Sequence, residues 1–203
     1  MPIIKHKGQR IAVFIDTQNL YHSARNLYQA RVNFSAILKD AVAGRTLVRA
    51  ISYMVTTEAG DEKNFLDAMN KMGIEVKTKD LQIFAGGQKK ADWDVGLAVD
   101  AVKIAHRVDT IVIVSGDGDF VPLVEYLKVS AGNQVEVMAF GKSTSGRLKD
   151  ISDDFIDLSA NPRKYLLNYG TARRNTTKTL SNNTDVSYNQ ANARRDQTNN
   201  TPS

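Results

Sequence analysis

The chain has 203 residues, of which 27 are Lys or Arg, 22 are Asp or Glu and none is Cys. The absence of Cys excludes disulfides, thiol catalysis and Cys-based zinc or iron–sulfur sites, and three scattered His argue against an all-His metal site. No apolar run approaches the roughly 18–20 residues that span a bilayer, and the start of the chain lacks the apolar region of a secretory signal, so we predict a cytoplasmic protein with no membrane partner.

Residues 171–203 differ in composition from the rest of the chain. They contain seven Asn, seven Thr and only three sizeable apolar residues, which cannot bury enough surface to offset the entropy of ordering. They carry a net charge of +3 out of +5 for the whole chain, so the total charge says little about the remainder. The composition predicts a folded domain over 1–165 and a disordered, Asn/Thr-rich, mildly basic tail over 166–203.

Short apolar runs alternate with helical patterns along the predicted domain. The strands that we predict, in chain order, are 10–16, 47–55, 75–84, 110–115, 134–140 and a short sixth at 155–158. The predicted helices are 19–28, 35–42, 61–72, 92–106 and 120–130, with a last helical turn at 162–167. Strands buried on both faces and separated by helices are typical of a parallel sheet with right-handed crossovers. We therefore predict a three-layer α/β fold with a central, mainly parallel sheet of five or six strands flanked by helices.

Aspartates follow three of the predicted strands. They are Asp16 after the first strand, Asp92 and Asp94 after the third, and Asp117 and Asp119 after the fourth. Because sites in open parallel sheets form beyond the carboxyl ends of the strands, we expect these carboxylates to lie together at the mouth of one cleft at that edge of the sheet. Crowded carboxylates must take up a proton or hold a cation, and an all-oxygen site suits Mg²⁺ or Mn²⁺.

Each acid also has a purely structural interpretation. Asp92 and Asp119 are good helix N-caps. Asp94 would favour the dipole of a helix, and Asp16 would satisfy a buried turn. Asp117 favours a functional role more strongly, because two glycines flank it directly after a buried strand. Other phosphate motifs fail, since the chain has no P-loop, no complete dinucleotide fingerprint and no EF-hand loop.

Three separated runs carry these acids: IDTQNLY at 15–21, DVGLAVD at 94–100 and SGDGDFVPL at 115–123. They resemble the motifs of the NYN domain, and more narrowly those of the LabA-like branch of the PIN-like nuclease superfamily, over about 10–158. Two departures stand out: Thr17 replaces a common Gly, and Lys90-Ala-Asp-Trp precedes Asp94 where Lys-Gly-Val is common. Asp92 and Asp94 are therefore alternative ligands, and we prefer Asp94 because its motif continues from it without a gap.

The resemblance implies a Rossmann-like, PIN-like fold and a metal-dependent ribonuclease. By motif position, the catalytic residues and ligands of Mg²⁺ or Mn²⁺ would be Asp16, Asp94, Asp117 and Asp119. The residues that would support the site or contact substrate are Asn19, Ser115, Gly116 and Lys90. Asn19 lies three residues after Asp16, so one helical turn would aim both side chains at the same mouth. Ser115 would orient a ligand or contact phosphate, and a strand-end hydroxyl bonded to the backbone explains it equally well.

Basic and aromatic residues give a candidate RNA surface, formed by Lys77, Lys79, Lys89, Arg25 and Trp93. Phosphate contacts by these lysines would supply affinity that does not depend on the RNA sequence. A solvated strand edge, which lysines keep from pairing with another strand, explains their positions nearly as well. Trp93 would stack on a base, but burial in the core is its favoured role. The expected partner is RNA in single-stranded form, and a homodimer is left open.

The leading hypothesis is a ribonuclease that hydrolyses RNA phosphodiester bonds at the aspartate cluster. One or two Mg²⁺ or Mn²⁺ ions would activate a water for in-line attack, since no side chain is an obvious general base. The first alternative is a non-catalytic RNA-binding or regulatory module that retains the nuclease fold. The second is a metal-dependent transferase or phosphatase acting on a nucleotide.

Overall fold

The computed structural model describes residues 3–56, 63–80, 82–83, 89–90 and 92–170. The chain divides into two compact units, Met1–Leu167 and Asn168–Ser203, and only three residues of the second are described. Residues 171–203 of the predicted tail over 166–203 lie outside the described residues, and so do residues 61 and 62 of the predicted 61–72 helix. Among the described helices, none combines the length and the apolar character of a membrane span.

Six parallel strands form the central sheet. In chain order they are β1 (Arg10–Asp16), β2 (Thr46–Thr56), β3 (Glu75–Asp80), β4 (Thr110–Val114), β5 (Gln134–Ala139) and β6 (Asp154–Asp157). Their order across the sheet is β3-β2-β1-β4-β5-β6, and every neighbouring pair is parallel. This arrangement confirms the predicted Rossmann-like α/β fold. It also places the topological switch point, where the strand order reverses, between β1 and β4.

The two central strands are buried because of their composition. All five residues of β4 (TIVIV) are buried, and so are five of the seven residues of β1 (RIAVFID). Such apolar, β-branched runs are typical of parallel strands covered on both faces by helices. Ile15 pairs with Val114 in the β1–β4 register, so the two strands end side by side. Asp16 and Ser115 therefore leave the sheet at the same edge.

Helices cover both faces of the sheet. Those in the described part of the chain are α1 (Thr17–Tyr28), α2 (Phe34–Val42), α3 (Lys63–Lys71), α4 (Asp94–Ile104), α5 (Val121–Val129), α6 (Gly146–Ile151) and α7 (Pro162–Tyr165). α1 begins two residues earlier than predicted because Asp16 is its N-cap. α2 begins one residue earlier than the predicted 35–42 helix, because Asn33 caps it by accepting a hydrogen bond from the backbone N–H of Ala36 at 3.2 Å.

Three other segments differ from the predicted elements. The predicted strand 75–84 ends at Asp80, and Gln82–Ile83 pairs antiparallel with Lys89–Lys90 in a separate small sheet. The helix α6 had no predicted counterpart, because its six residues are too few to show a clear periodicity. The end of the predicted last helical turn is a strand, Leu166–Leu167, which pairs antiparallel with Arg31–Val32. In that pairing, the buried Leu166 lies opposite the buried Val32.

Candidate functional site

Asp16 stands at the carboxyl end of β1, where two hydrogen bonds fix its side chain. Its Oδ1 accepts from the backbone N–H of Asn19 at 3.0 Å, and its Oδ2 accepts from the hydroxyl of Ser115 at 3.0 Å. Burial raises the pKa of Asp16 above its usual range, against the opposing effect of these two hydrogen bonds. Asp16 therefore satisfies a turn, as its structural interpretation predicts, and also lines the cleft described below.

Asn19 and Ser115 connect the ends of β1 and β4. The side-chain Oδ1 of Asn19 accepts from the backbone N–H of Gly116 at 2.9 Å. The Ser115 hydroxyl accepts from the backbone N–H of Asp117 at 3.2 Å while it donates to Asp16. Since Ser115 is fully buried, it orients Asp16 and has no exposed surface for a phosphate. Asn19 and Asp16 do face the same mouth.

The run from Ser115 to Phe120 turns the chain from β4 into α5 through a short 3₁₀ helix, Gly118–Phe120. Asp117 caps this turn, because its Oδ1 accepts from the backbone N–H of Asp119 at 3.0 Å. A Cβ at position 116 would lie 2.9 Å from the hydroxyl oxygen of Thr144, so the close approach of this neighbouring loop requires Gly116. The turn leaves Asp117 in the cleft and Asp119 exposed on its rim.

Three of the predicted acids form a close group. Within the described residues, Asp94, Asp117 and Asp119 each offer a carboxylate oxygen, and these oxygens lie within 4.8 Å of one another. Burial raises the pKa of Asp94 to about 6, and the charges of Asp16, Asp117, Asp92 and Asp119 add to the rise. Repulsion of this kind is relieved by a proton or by a cation.

The donor set of this close group fits a hard divalent cation. Mg²⁺ takes oxygen ligands at about 2.0–2.1 Å, so opposite ligand oxygens lie about 4.2 Å apart. One carboxylate oxygen each of Asp94, Asp117 and Asp119 lies within 4.8 Å of the others, which is close to the width of such a site. Asp92 also lines the cleft, but it is exposed and lies outside the close group. The close group thus contains Asp94 and not Asp92, and the choice of Asp94 as a ligand stays a prediction.

Trp93 forms one wall of the cleft beside the acids. Its indole N–H donates to the carbonyl of Met54 at 2.9 Å, and its ring packs against Tyr53 with 5.5 Å between centroids. A Cβ on Gly96 would lie 2.6 Å from the Trp93 ring, so this glycine lets the indole pack closely on the first turn of α4. Trp93 is half-buried, so it packs on the core and also lines the cleft, and its stacking on a base stays a prediction.

The surroundings of Lys77 and Lys79, two of the predicted cations, differ. Lys77 forms an ion pair with Asp100 of α4, which also accepts a hydrogen bond from the hydroxyl of Tyr53 at 2.8 Å. Lys79 is exposed, and its ammonium lies 5.9 Å from the centroid of the Trp93 ring. Lys79 therefore stands at the cleft, whereas Lys77 is held by an acid.

The remaining predicted cations are Arg25, Lys89 and Lys90. Arg25 lies on the outer face of α1, where its guanidinium donates to the hydroxyl of Tyr21 at 3.4 Å. Lys89 and Lys90 belong to the small antiparallel sheet, and their side chains lie outside the described part of the structure.

The cleft extends past the acids to a polar wall that, apart from Asn19, the sequence analysis missed. Its volume is about 350 Å³, and the uncharged or weakly basic residues that line it are Gln18, Asn19, His22, Ser23, Asn26 and Ser143. The four-residue spacing of Gln18, His22 and Asn26 along α1 would have pointed to this wall. Ser143 has no local signal, because only the parallel register of β5 brings its loop to the mouth.

The fold and the site define a Rossmann-like protein of the PIN-like class with an acidic centre at the switch point. Residues 10–159 match the family model of the NYN domain. The chain belongs to the NYN domain family and is LabA-like within it. The family and the close group of acids together fit a nuclease.

Three individual proteins are similar to this chain. The protein LabA of Synechococcus elongatus is 27% identical over 164 residues, which cover 75% of this chain and 86% of LabA. An uncharacterized protein of Methanocaldococcus jannaschii is 30% identical over 158 residues, covering 76% of this chain but only 58% of that relative. A crystal structure of a protein of unknown function from Vibrio parahaemolyticus matches with a TM-score of 0.73 and 30% identity, over 81% of this chain and all of that one.

The crowding of the acids predicts that Asp94→Asn stabilises the metal-free protein at neutral pH. Because the pKa of Asp94 is raised to about 6, the folded state keeps a proton that the unfolded chain releases, and stability falls as pH rises from about 4 to about 6. After discounting for solvent screening, we expect the variant to gain about 1 kcal/mol, or a rise in Tm of about 2–4 °C.

Thermal unfolding in EDTA measures this difference. The gain should be present at about pH 7.5 and shrink toward zero at about pH 4, where the carboxyl group of the wild type is already protonated. The matched control Asp67→Asn removes an exposed carboxylate of α3 and should leave Tm unchanged. An Asp94→Asn variant that is no more stable than wild type at neutral pH would show that the carboxylates do not repel one another.

Proposed function

We propose that the protein is a metal-dependent ribonuclease that hydrolyses RNA phosphodiester bonds beyond the carboxyl ends of β1 and β4. The observation that carries the proposal is the close group of Asp94, Asp117 and Asp119 at the switch point of a NYN domain. The family supplies the nuclease class, and the all-oxygen donor set supports Mg²⁺ or Mn²⁺ as the cofactor.

The residues of the close group would hold the ion, and Asp16 would complete the site from the β1 side. A bound ion of this kind lowers the pKa of a water and neutralises the charge that builds up on the reacting phosphate. Asp16 needs little reorganisation for this role, because Asn19 and Ser115 already fix both of its oxygens. Asp117 is likewise held by the turn that it caps.

The walls of the cleft would position the RNA around the scissile phosphate. Trp93 borders the acids on one side of the cleft. On the other side Gln18, His22 and Asn26 offer hydrogen-bonding groups to a sugar or a base. The cleft is open, with His22 and Asn26 exposed, which suits a reaction in which water is the second substrate.

Metal-dependent cleavage of labelled single-stranded RNA by the full chain tests the proposal. We expect products in Mn²⁺ or Mg²⁺, none in EDTA, and recovery when Mn²⁺ is added in excess over EDTA. Tight binding of RNA without turnover would instead support the non-catalytic module, and turnover of small nucleotides but not RNA would support the transferase or phosphatase. The homodimer and the cytoplasmic location stay predictions.

A further inference from the structure

A second hollow lies next to the cleft on the outer face of α1. It has a volume of about 560 Å³ and is lined by Tyr21, Arg25, Asn26, Gln29, Ala30 and Arg31. Asn26 also lines the acidic cleft, so the two depressions share a wall. The lining of the hollow contains two guanidinium groups and no carboxylate, which is the opposite of the cleft.

Within the described residues, neither arginine of the hollow forms an ion pair with an acid. Arg25 and Arg31 are exposed, and neither appears among the ion pairs that the described residues form. By contrast, four other arginines pair with carboxylates: Arg10, Arg45, Arg49 and Arg147. Guanidinium groups without an acidic partner are well suited to binding phosphate, which they can hold through two hydrogen bonds.

An exposed aromatic ring lies between these charges and the cleft. Tyr21 is 46% exposed, and the guanidinium of Arg25 donates to its hydroxyl at 3.4 Å. Its ring contacts the edge of His22, which lines the cleft, with 5.9 Å between centroids. Exposed aromatic rings next to basic groups form the platforms on which single-stranded nucleic acids stack their bases. A base within a duplex has no free face for such stacking.

The exposed face of α1 links the hollow to the acids. Gln18, His22 and Asn26 follow one another at four-residue spacing along the cleft, and Tyr21, Arg25 and Gln29 do so along the hollow. These rows begin next to Asp16, the N-cap of the helix. At 1.5 Å per residue, they extend about 20 Å from it, which gives room for more than one nucleotide.

We propose that the cleft and the hollow form one track for single-stranded RNA, with a base stacked on Tyr21 and phosphates bound by Arg25 and Arg31. The proposal rests on the proposed ribonuclease function and adds the path that the RNA takes away from the acids.

Binding measured in EDTA tests the track separately from catalysis. The probe is fluorescein-labelled oligouridylate, titrated with the full chain at increasing NaCl and followed by fluorescence anisotropy. The double variant Arg25→Ala/Arg31→Ala should weaken binding at least about tenfold at low salt. It should also reduce the slope of log Kd against log salt by about 1.4, because each phosphate contact of a single strand contributes about 0.7. Tyr21→Ala should weaken binding about tenfold and leave the slope unchanged.

The matched control is Arg107→Ala/Arg163→Ala, which removes two exposed arginines outside the hollow. Residues 171–203 are present in every variant, so their own affinity for RNA cancels in the comparison. A double variant of the hollow that binds like this control, or a wild-type chain that binds duplex RNA as tightly as the single strand, overturns the track. If the hollow variants cleave RNA as efficiently as wild type, the ribonuclease proposal is retained and the track is rejected. If the wild type does not cleave RNA but the hollow variants bind RNA more weakly than it does, the track is retained and the ribonuclease proposal is rejected.

Discussion

Asp117→Asn is expected to reduce metal-dependent cleavage of RNA at least about 100-fold. The substitution removes one carboxylate from the close group and replaces it with a neutral amide, which is a much weaker ligand for Mg²⁺ or Mn²⁺. The amide oxygen can still accept the hydrogen bond that caps the Gly118–Phe120 turn, so the fold should survive. The initial rate of cleavage of labelled single-stranded RNA in Mn²⁺ measures the effect.

The design separates a lost ligand from a lost fold or a contaminating nuclease. Asp67→Asn has the same change of charge on an exposed part of α3 and should cleave like wild type when purified in parallel. Raising the Mn²⁺ concentration should restore part of the activity of Asp117→Asn, because the variant binds the ion more weakly. If Asp117→Asn cleaves as fast as wild type at all metal concentrations, the acids of this site do not catalyse the reaction.

Glu136→Gln is expected to cause the largest loss of stability, about 3 kcal/mol or roughly 10 °C in Tm. Glu136 lies in β5 and pairs with Arg45, and both side chains are fully buried. Arg45 also donates to the carbonyls of Ala41 and Val42 at the end of α2, so its guanidinium cannot move to water without breaking those bonds. The glutamine would leave this charge buried without its main counter-charge. Denaturant or thermal unfolding measures the loss.

The control for this prediction is Glu125→Gln, which breaks the exposed pair between Glu125 and Arg147 and should cost less than about 1 kcal/mol. Burial raises the pKa of Glu136, but the hydrogen bonds and charges of Arg45 and Lys5 outweigh it and hold the pKa below its usual 4.5. The stabilisation is therefore complete above pH 4.5 and is lost as pH falls through the lower pKa of the folded state. A loss of stability that is equal in both variants would contradict the account of the buried pair.

The central sheet was predictable because each strand carries its own signal. The apolar runs of β1 and β4 are continuous and too short for helices. The acids that follow them indicate that a site lies at the carboxyl edge of the sheet. Elements that depend on distant partners were not predictable. Leu166–Leu167 becomes a strand only because Arg31–Val32 offers it an antiparallel partner. The Arg45–Glu136 pair joins residues that are far apart in the sequence, and a buried glutamate in a strand has no local pattern.

The candidate site likewise has features that were predictable from the sequence and features that were not. The clustering of Asp94 and Asp117 was predictable, because their positions relative to the strands place both at one mouth. The burial of Ser115 against Asp16 was not, since it depends on how closely two strand ends approach. The residues of the hollow were missed except for Arg25, because the pairing of Arg31 with Leu167 sets where the chain runs after α1. The roles of all these residues in catalysis and binding stay predictions.

Anomalous diffraction from a crystal grown with Mn²⁺ tests the central claim most directly. The account predicts a peak bounded by the carboxylates of Asp94, Asp117 and Asp119, with Asp16 on its β1 side, and no such peak in Asp117→Asn crystals grown under the same conditions. A wild-type crystal with manganese bound only elsewhere, or with none at saturating Mn²⁺, would contradict the claim that this acidic group is a metal centre.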